Sequence, residues 1–244
     1  MTATVRATAN TILNRVGAEV GLDAVSAPFE STDKSYIQMK TLLNIAGEEL
    51  CDLWNWQFLI KEHSITTVVP GDTGDYSFPA DYLRMINQTH WETTNQRPLG
   101  GPLSPQEWQY LTNSEITSSI DVSFRLRNNY FSIFPQPPEN GLTVTFEYIS
   151  RNWVIDSDDG TTLTDSCVQG ADTPLFDRTL LSRMLKVKWL EAKNFDTTKA
   201  QADLNQSWDM MTQSDKGARI LNLAGSRRAA FLDSFNIPST GLGS

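Results

Sequence analysis

The apolar positions along the chain change rhythm twice. In the first third they recur every three or four residues. Ile12, Leu13, Val16 and Val20 form one stripe; Tyr36, Met39, Leu43, Ala46, Leu50 and Leu53 form a second, widened by Leu42 and Ile45. That spacing puts each set on one face of a helix that needs a partner. Thr8 or Asn10 can cap the first helix, Gly21 suits its C-terminal end, and Ser31, Thr32 or Asp33 can cap the second. After Phe58 the period drops to two. "HSITTVV" reads as a strand, "PGDTGD" as a turn, and Tyr76 and Phe78 alternate up to Pro79. "ADYLR" is expected as a short turn, with a strand near Met85 to Trp91. Ser104, Pro105 and Glu107 carry the N-cap, N1 and N3 signals of a short helix. "DVSFRLR", "NNYFSIF" and "GLTVTFEYIS" alternate and are predicted as antiparallel strands joined by hairpin-like turns.

The helical rhythm returns from Pro174. Leu180, Met184 and Val187 share one face, while Leu181, Leu185, Trp189 and Ala192 line another. Apolar residues on two faces predict contacts on both sides, and Leu181, Leu185 and Trp189 are assigned to a subunit interface. "FDTT" separates this helix from a last one carrying Leu204, Trp208 and Met211, which ends near Gly217.

Helices, strands, then helices predict an α+β architecture. The N- and C-terminal helices would form one bundle, with an inserted antiparallel β-rich domain and an extended C-terminal tail. The expected division is 1–59 for the first helices, 60–155 for the β-rich insert, 156–173 for an acidic loop, 174–217 for the last helices and 218–244 for the tail. Trp54, Trp56 and Phe58 stand where helix gives way to strand. With Leu53 they are predicted to form the core of a hinge between bundle and insert.

Composition narrows the function more by exclusion than by sign. The chain has 244 residues, 39% of them apolar, enough to bury a substantial core. Its 20 basic and 29 acidic side chains give a net charge of −9, and no basic stripe precedes the C-terminus, which argues against a dedicated DNA-binding surface. No segment approaches the about 18 consecutive apolar residues of a membrane span, and the N-terminus lacks the apolar run of a signal peptide. A soluble protein made in a reducing cytoplasm is expected, with Cys51 and Cys167 as buried free thiols. His63 and His90 lack metal-ligand spacing. Asp156, Asp158, Asp159 and Gly160 faintly resemble a calcium loop, but the glycine comes one position early and Cys167 stands where the closing glutamate belongs. No nucleophile elbow, P-loop or dinucleotide fingerprint is present. No catalytic, metal or cofactor residue is therefore assigned, and no cofactor is expected. Trp91, Trp108 and Trp153 could bind sugars or fill the core of a sheet.

The final stretch differs in kind. Arg219, Ile220, Leu221, Arg227, Arg228, Phe231 and Phe235 intersperse cations with apolar anchors among glycines and serines. It reads either as a segment that orders on a partner or, up to Arg228, as a helix folded back on the bundle.

The helix end Trp54-Asn55-Trp56-Gln57-Phe58, the alternating strand after it, "YSFPADYLRM" from Tyr76 to Met85, the late helix pair from Leu175 to Met211 and the loose tail together resemble the head-to-tail adaptors of short-tailed bacteriophages, often called tail tubular protein A. "YSFPADYLRM" is similar to the pattern Y-x-[LF]-P-x-D-[YF]-x-R frequent in those proteins. The resemblance spans nearly the whole chain. It implies a non-enzymatic virion protein at the head–tail junction, synthesised in the host cytoplasm. Such a protein forms a homo-oligomeric ring, usually a dodecamer, beneath the portal. Bundle and tail would dock on the portal protein, with the seven tail residues above as contacts. The β-rich part would face the downstream tail or nozzle protein, and DNA would pass through the channel without specific binding. A tail hydrolase or a carbohydrate-binding tail component is the alternative, and a bacterial binding module unrelated to phage a third. On this reading, deleting Gly225 to Ser244 leaves the melting temperature within a few degrees while weakening docking. Thermal unfolding of the truncated protein checks this, and a large drop would make the tail part of the core.

Overall fold

The computed structural model describes residues 6–68, 74–113, 122–135 and 141–215. Helix α1 (Ala9–Glu19) starts where the Thr8 hydroxyl accepts the Thr11 amide, and it buries Ile12, Leu13 and Val16. It stops at Gly21, whose φ of 78° few other residues adopt cheaply. Helix α2 (Lys34–Leu53) is capped by Asp33, whose carboxylate accepts the Ser35 amide at 2.8 Å. A 3-10 turn (Gln57–Leu59) then leads into β1 (Ile60–Thr66). There follow β2 (Asp75–Ser77), β3 (Tyr82–Met85), β4 (Trp91–Glu92), β5 (Arg97–Pro98) and α3 (Pro105–Asn113). The α3 cap is reciprocal: Glu107 accepts the Ser104 amide and Ser104 the Glu107 amide.

Strands β6 (Ser123–Arg127) and β7 (Tyr130–Phe134) form a two-residue hairpin. Asn128 and Asn129 both have positive φ, as a type I′ turn requires. Strand β8 (Thr143–Ser150) does not pair with β7. It joins β1 on one edge and β3 and β4 on the other, with β5 beyond β4. Strands β2, β7 and β6 make a second sheet. Between these two sheets lies an aromatic core in which Phe131 stacks on Phe124 at 4.6 Å and on Phe146 at 5.2 Å. The turn expected at "ADYLR" is confined to Ala80 and Asp81, and Tyr82–Met85 is already strand.

The third sheet is small. Strand β9 (Val154–Ile155) lies between β10 (Leu163–Thr164) and β11 (Thr173–Pro174). Helix α4 (Arg178–Ala192), capped by Asp177, and helix α5 (Thr198–Asp215) complete the described chain.

This overturns the expected bundle with an inserted β-domain. The fold is mixed α/β, with five helices and three antiparallel sheets among the described residues. The core under the helices is filled from the strands as well: Leu59, Ile149, Trp153 and Val154 are buried in it beside Leu43, Leu50, Leu181 and Leu185. Strand β8 runs from one core into the other, with Phe146 in the aromatic core and Ile149 in the helical one. The stripe on α2 needed an apolar partner; it packs on α4 and also on Trp153, just before β9.

Gly47 makes that contact possible. A Cβ there would lie 2.1 Å from the Trp153 ring, which is wholly buried. In an open helix Gly→Ala stabilises by about 1 kcal/mol; here the ring has nowhere to go. Gly47→Ala is expected to destabilise the fold by about 1–3 kcal/mol, read from the midpoint of urea unfolding, and a rise in stability would refute the contact.

Candidate assembly joint

Helix α2 must stop and its chain turn into β1, which leaves carbonyls at the helix end without intrahelical partners. Arg84, on β3, supplies the donors. One guanidinium nitrogen donates to the Cys51 carbonyl at 2.9 Å; another donates to the Trp54 carbonyl at 2.7 Å and to Asn55 Oδ1 at 3.1 Å. A cation at a helix C-terminus is also favoured by the helix dipole. Its ion pair with Asp52, at 3.6 Å and 70% exposed on the Asp side, adds little.

The three aromatics expected at this joint are held from several elements. Trp56 is 3% exposed and donates through Nε1 to the Leu50 carbonyl at 2.7 Å. It stacks on Phe58 at 5.7 Å and meets Phe176 and Trp208 edge-on at 5.7 and 5.6 Å. Trp54 meets Trp208 at 6.4 Å. Each such pair contributes about 0.5–1.5 kcal/mol beyond its buried area. Asp215, at the end of α5, accepts from Trp54 Nε1 at 3.2 Å and from the Gln57 amide at 3.3 Å. Leu53, assigned with them to the hinge core, is instead 56% exposed. It borders a groove of about 370 Å3 between α2, α4 and α5, with Leu50, Met184 and Trp208 among its lining residues.

Three residues before Arg84, Asp81 ties the other side of the joint. Its carboxylate accepts from Lys61 Nζ on β1 at 2.6 Å, and from Ser150 Oγ and Tyr148 OH on β8 at 2.7 and 2.9 Å. Burial alone would raise its pKa, but the bonds from Lys61, Ser150 and Tyr148 outweigh it and hold the carboxyl below its usual value. Burial and the Asp81 carboxylate push the Tyr148 phenol up to about 12. The preceding Phe78 stacks on Tyr82 at 4.0 Å and meets Phe131 edge-on. "YSFPADYLRM" is thus a clip: its aromatics enter the inter-sheet core, its acid binds β1 and β8, and its arginine binds α2. These roles are not evident from the motif itself. The spacing of Asp81 and Arg84 behind a proline-ended strand was the available signal.

A second polar node fastens the loop after Trp153. Asp172 is 3% exposed and accepts the Val168, Gln169 and Ser157 amides. Asn44 on α2 exchanges two hydrogen bonds with the Cys167 backbone. The Gly170 and Asp172 carbonyls accept the first amides of α1.

Leu181, Leu185 and Trp189, assigned to a subunit interface, are 0%, 0% and 4% exposed and lie in the chain's own core. Packing of α4 against α1, α2 and α5 accounts for both of its apolar faces. Arg219, Ile220, Leu221, Arg227, Arg228, Phe231 and Phe235 lie outside the described residues. His63 and His90 pack edge-on against Phe146 and Phe124, and burial lowers both pKa values. Burial pushes the Cys51 and Cys167 thiols up to about 12, so neither is a ready nucleophile. Among the described residues no cluster of three or more His, Cys, Asp or Glu side chains could hold a metal, and no helix is long and apolar enough to cross a membrane.

Two outcomes follow for the clip. Arg84→Met leaves carbonyls of the α2 end unpaired and is expected to cost about 1–3 kcal/mol in urea unfolding. Asp81 has a depressed folded pKa, so its contribution is complete above the unfolded carboxylate value of about 3.9 and is lost as pH falls through the lower folded value. The stability gap between native protein and Asp81→Asn should therefore be constant near neutrality and close below about pH 4; a gap that widens on acidification contradicts the sign.

Comparison with known families places these features in context. A family model described as SU10 adaptor protein matches residues 7–230. No curated protein matches the chain. The matched span takes in the clip, the aromatic joint, all three sheets and all five described helices. The chain belongs to the SU10 adaptor protein family and is a structural adaptor of the bacteriophage virion.

Proposed function

We propose that the protein is a ring-forming adaptor that connects the portal vertex of the capsid to the tail and surrounds the channel through which DNA leaves. Membership of a phage adaptor family over residues 7–230 carries this reading. The joint supports it. An adaptor placed between two different partners must hold one surface at a set angle to another, and Trp54, Trp56 and Phe58 are clamped by α5, β3 and the Phe176 segment rather than left as a free linker. The net charge of −9 suits a channel wall that should not retain DNA. In this reading the helical side and the tail, through Arg219, Ile220, Leu221, Arg227, Arg228, Phe231 and Phe235, meet the portal protein. The β-rich side meets the downstream tail protein, and the ring is a dodecamer at the head–tail junction.

The test is assembly. Purified protein mixed with the portal ring of the same phage is expected to add a layer beneath the portal in negative-stain images and to raise the mass measured by light scattering. A protein that stays monomeric and never adds that layer would end the reading. Release of reducing sugars from host polysaccharide would favour a tail hydrolase instead.

A further inference from the structure

The outer face of the β2-β7-β6 sheet carries a cleft of about 340 Å3. Strand period places Arg125 and Arg127 on this face, about 7 Å apart. In register, Arg125 lies opposite Ser132, and Ser132 opposite Asp75, while Arg127 lies opposite Tyr130. Trp108 of α3 packs on Phe134 at 6.2 Å and lines the same cleft. Arg127 and Tyr130 are exposed, Tyr130 by 47%. Arginine, tyrosine and tryptophan are the side chains that most often dominate protein interfaces. Among the described residues neither arginine forms an ion pair. Among the described residues, Asp75 is the one carboxylate lining the cleft, and it is already bonded to the Ser132 hydroxyl. Two guanidinium groups make the cleft a better fit for an anionic ligand than for a neutral one.

The same chain presents a matching anion on a different sheet. The turn between β9 and β10 carries Asp156, Asp158 and Asp159, the last two exposed. It is ordered in advance: Asp159 accepts the Thr161 and Thr162 amides, Asp156 accepts the Asp158 amide, and the Gly160 amide closes onto the Asp156 carbonyl. Hydrogen bonds from Thr162 and Thr161 lower the Asp159 pKa to about 2, so it stays charged across the working range. A turn ordered before contact loses little entropy on docking.

We propose that the Arg125–Arg127–Tyr130 cleft receives the Asp156–Gly160 turn of a second copy of this chain. The contact joins two unlike surfaces, so each copy offers one to each neighbour, and repetition gives a ring when the rotation between copies closes. The inference rests on the ring reading above and names the surfaces that make it.

The test is a charge-reversal cycle on the portal ring. Arg125→Glu with Arg127→Glu reverses the cleft; Asp158→Arg with Thr161→Arg sets two cations on the turn and its flank and takes the charge of its three aspartates from −3 to a net of zero, while the Thr161 and Thr162 amides still donate to Asp159. Melting temperatures confirm that each variant folds. Either reversal alone is expected to lower the affinity between neighbouring subunits at least about tenfold, and the chain carrying all four changes is expected to regain assembly. Native-like assembly of the single-face variants, or no recovery in the combined one, overturns the contact while leaving the adaptor reading standing. Failure of the native protein to assemble at all removes both. Binding of duplex DNA that disappears with Arg125→Glu and Arg127→Glu would assign the cleft to nucleic acid instead.

Discussion

The end of α2 is the constraint from which most of the structure follows. A twenty-residue helix with one apolar stripe has to stop, turn and become a strand within a few residues, and the carbonyls it leaves behind cannot be buried unpaired. The solution lies outside the helix, in a guanidinium delivered by a strand some thirty residues later. Because Arg84 sits on β3, and β3 is laid against β8, the helix end and the larger sheet are held by the same residue. Secondary elements that look separable in sequence are therefore locked together at one polar point, and the aromatics of the joint pack around it.

Much of this was legible in the sequence, and the misses share a cause. The helical stripes, the α3 capping box, the Asn-Asn hairpin and the Asp33 cap rest on local chemistry, which a sequence carries on its face. Strand partnership does not. The alternation in "GLTVTFEYIS" says that β8 is a strand but not that it abandons β7 for β1, β3 and β4. It gives no hint that Ile149 enters one core while Phe146 enters another. The doubly apolar α4 illustrates the ambiguity: two apolar faces demand two partners, and the sequence cannot say that α1, α2 and α5 supply them within one chain.

The joint itself was readable as a concentration of tryptophan and phenylalanine, yet one member was misplaced. Helical phase groups Leu53 with Leu50, but Leu53 is the last residue of α2, where the chain departs from the helical path before the stripe is covered. Asp81 stood out only through its spacing from Arg84, and Asp172 and Asp215 not at all. An aspartate in an acidic chain is common, and only the fold shows which few receive buried donors. Those three carboxylates fasten a strand, a loop and a helix end, so part of the acidic composition serves cohesion as well as solubility.

Asp215 has one more consequence. It lies at the end of α5 and at the same time accepts from Trp54 and Gln57, 161 and 158 residues earlier in the chain. A tensile load applied to the chain at Asp215 would therefore pass straight into the aromatic joint instead of peeling α5 away from its outer side. Helix α5 is thus held at its Asp215 end by the joint as well as along its length by α4.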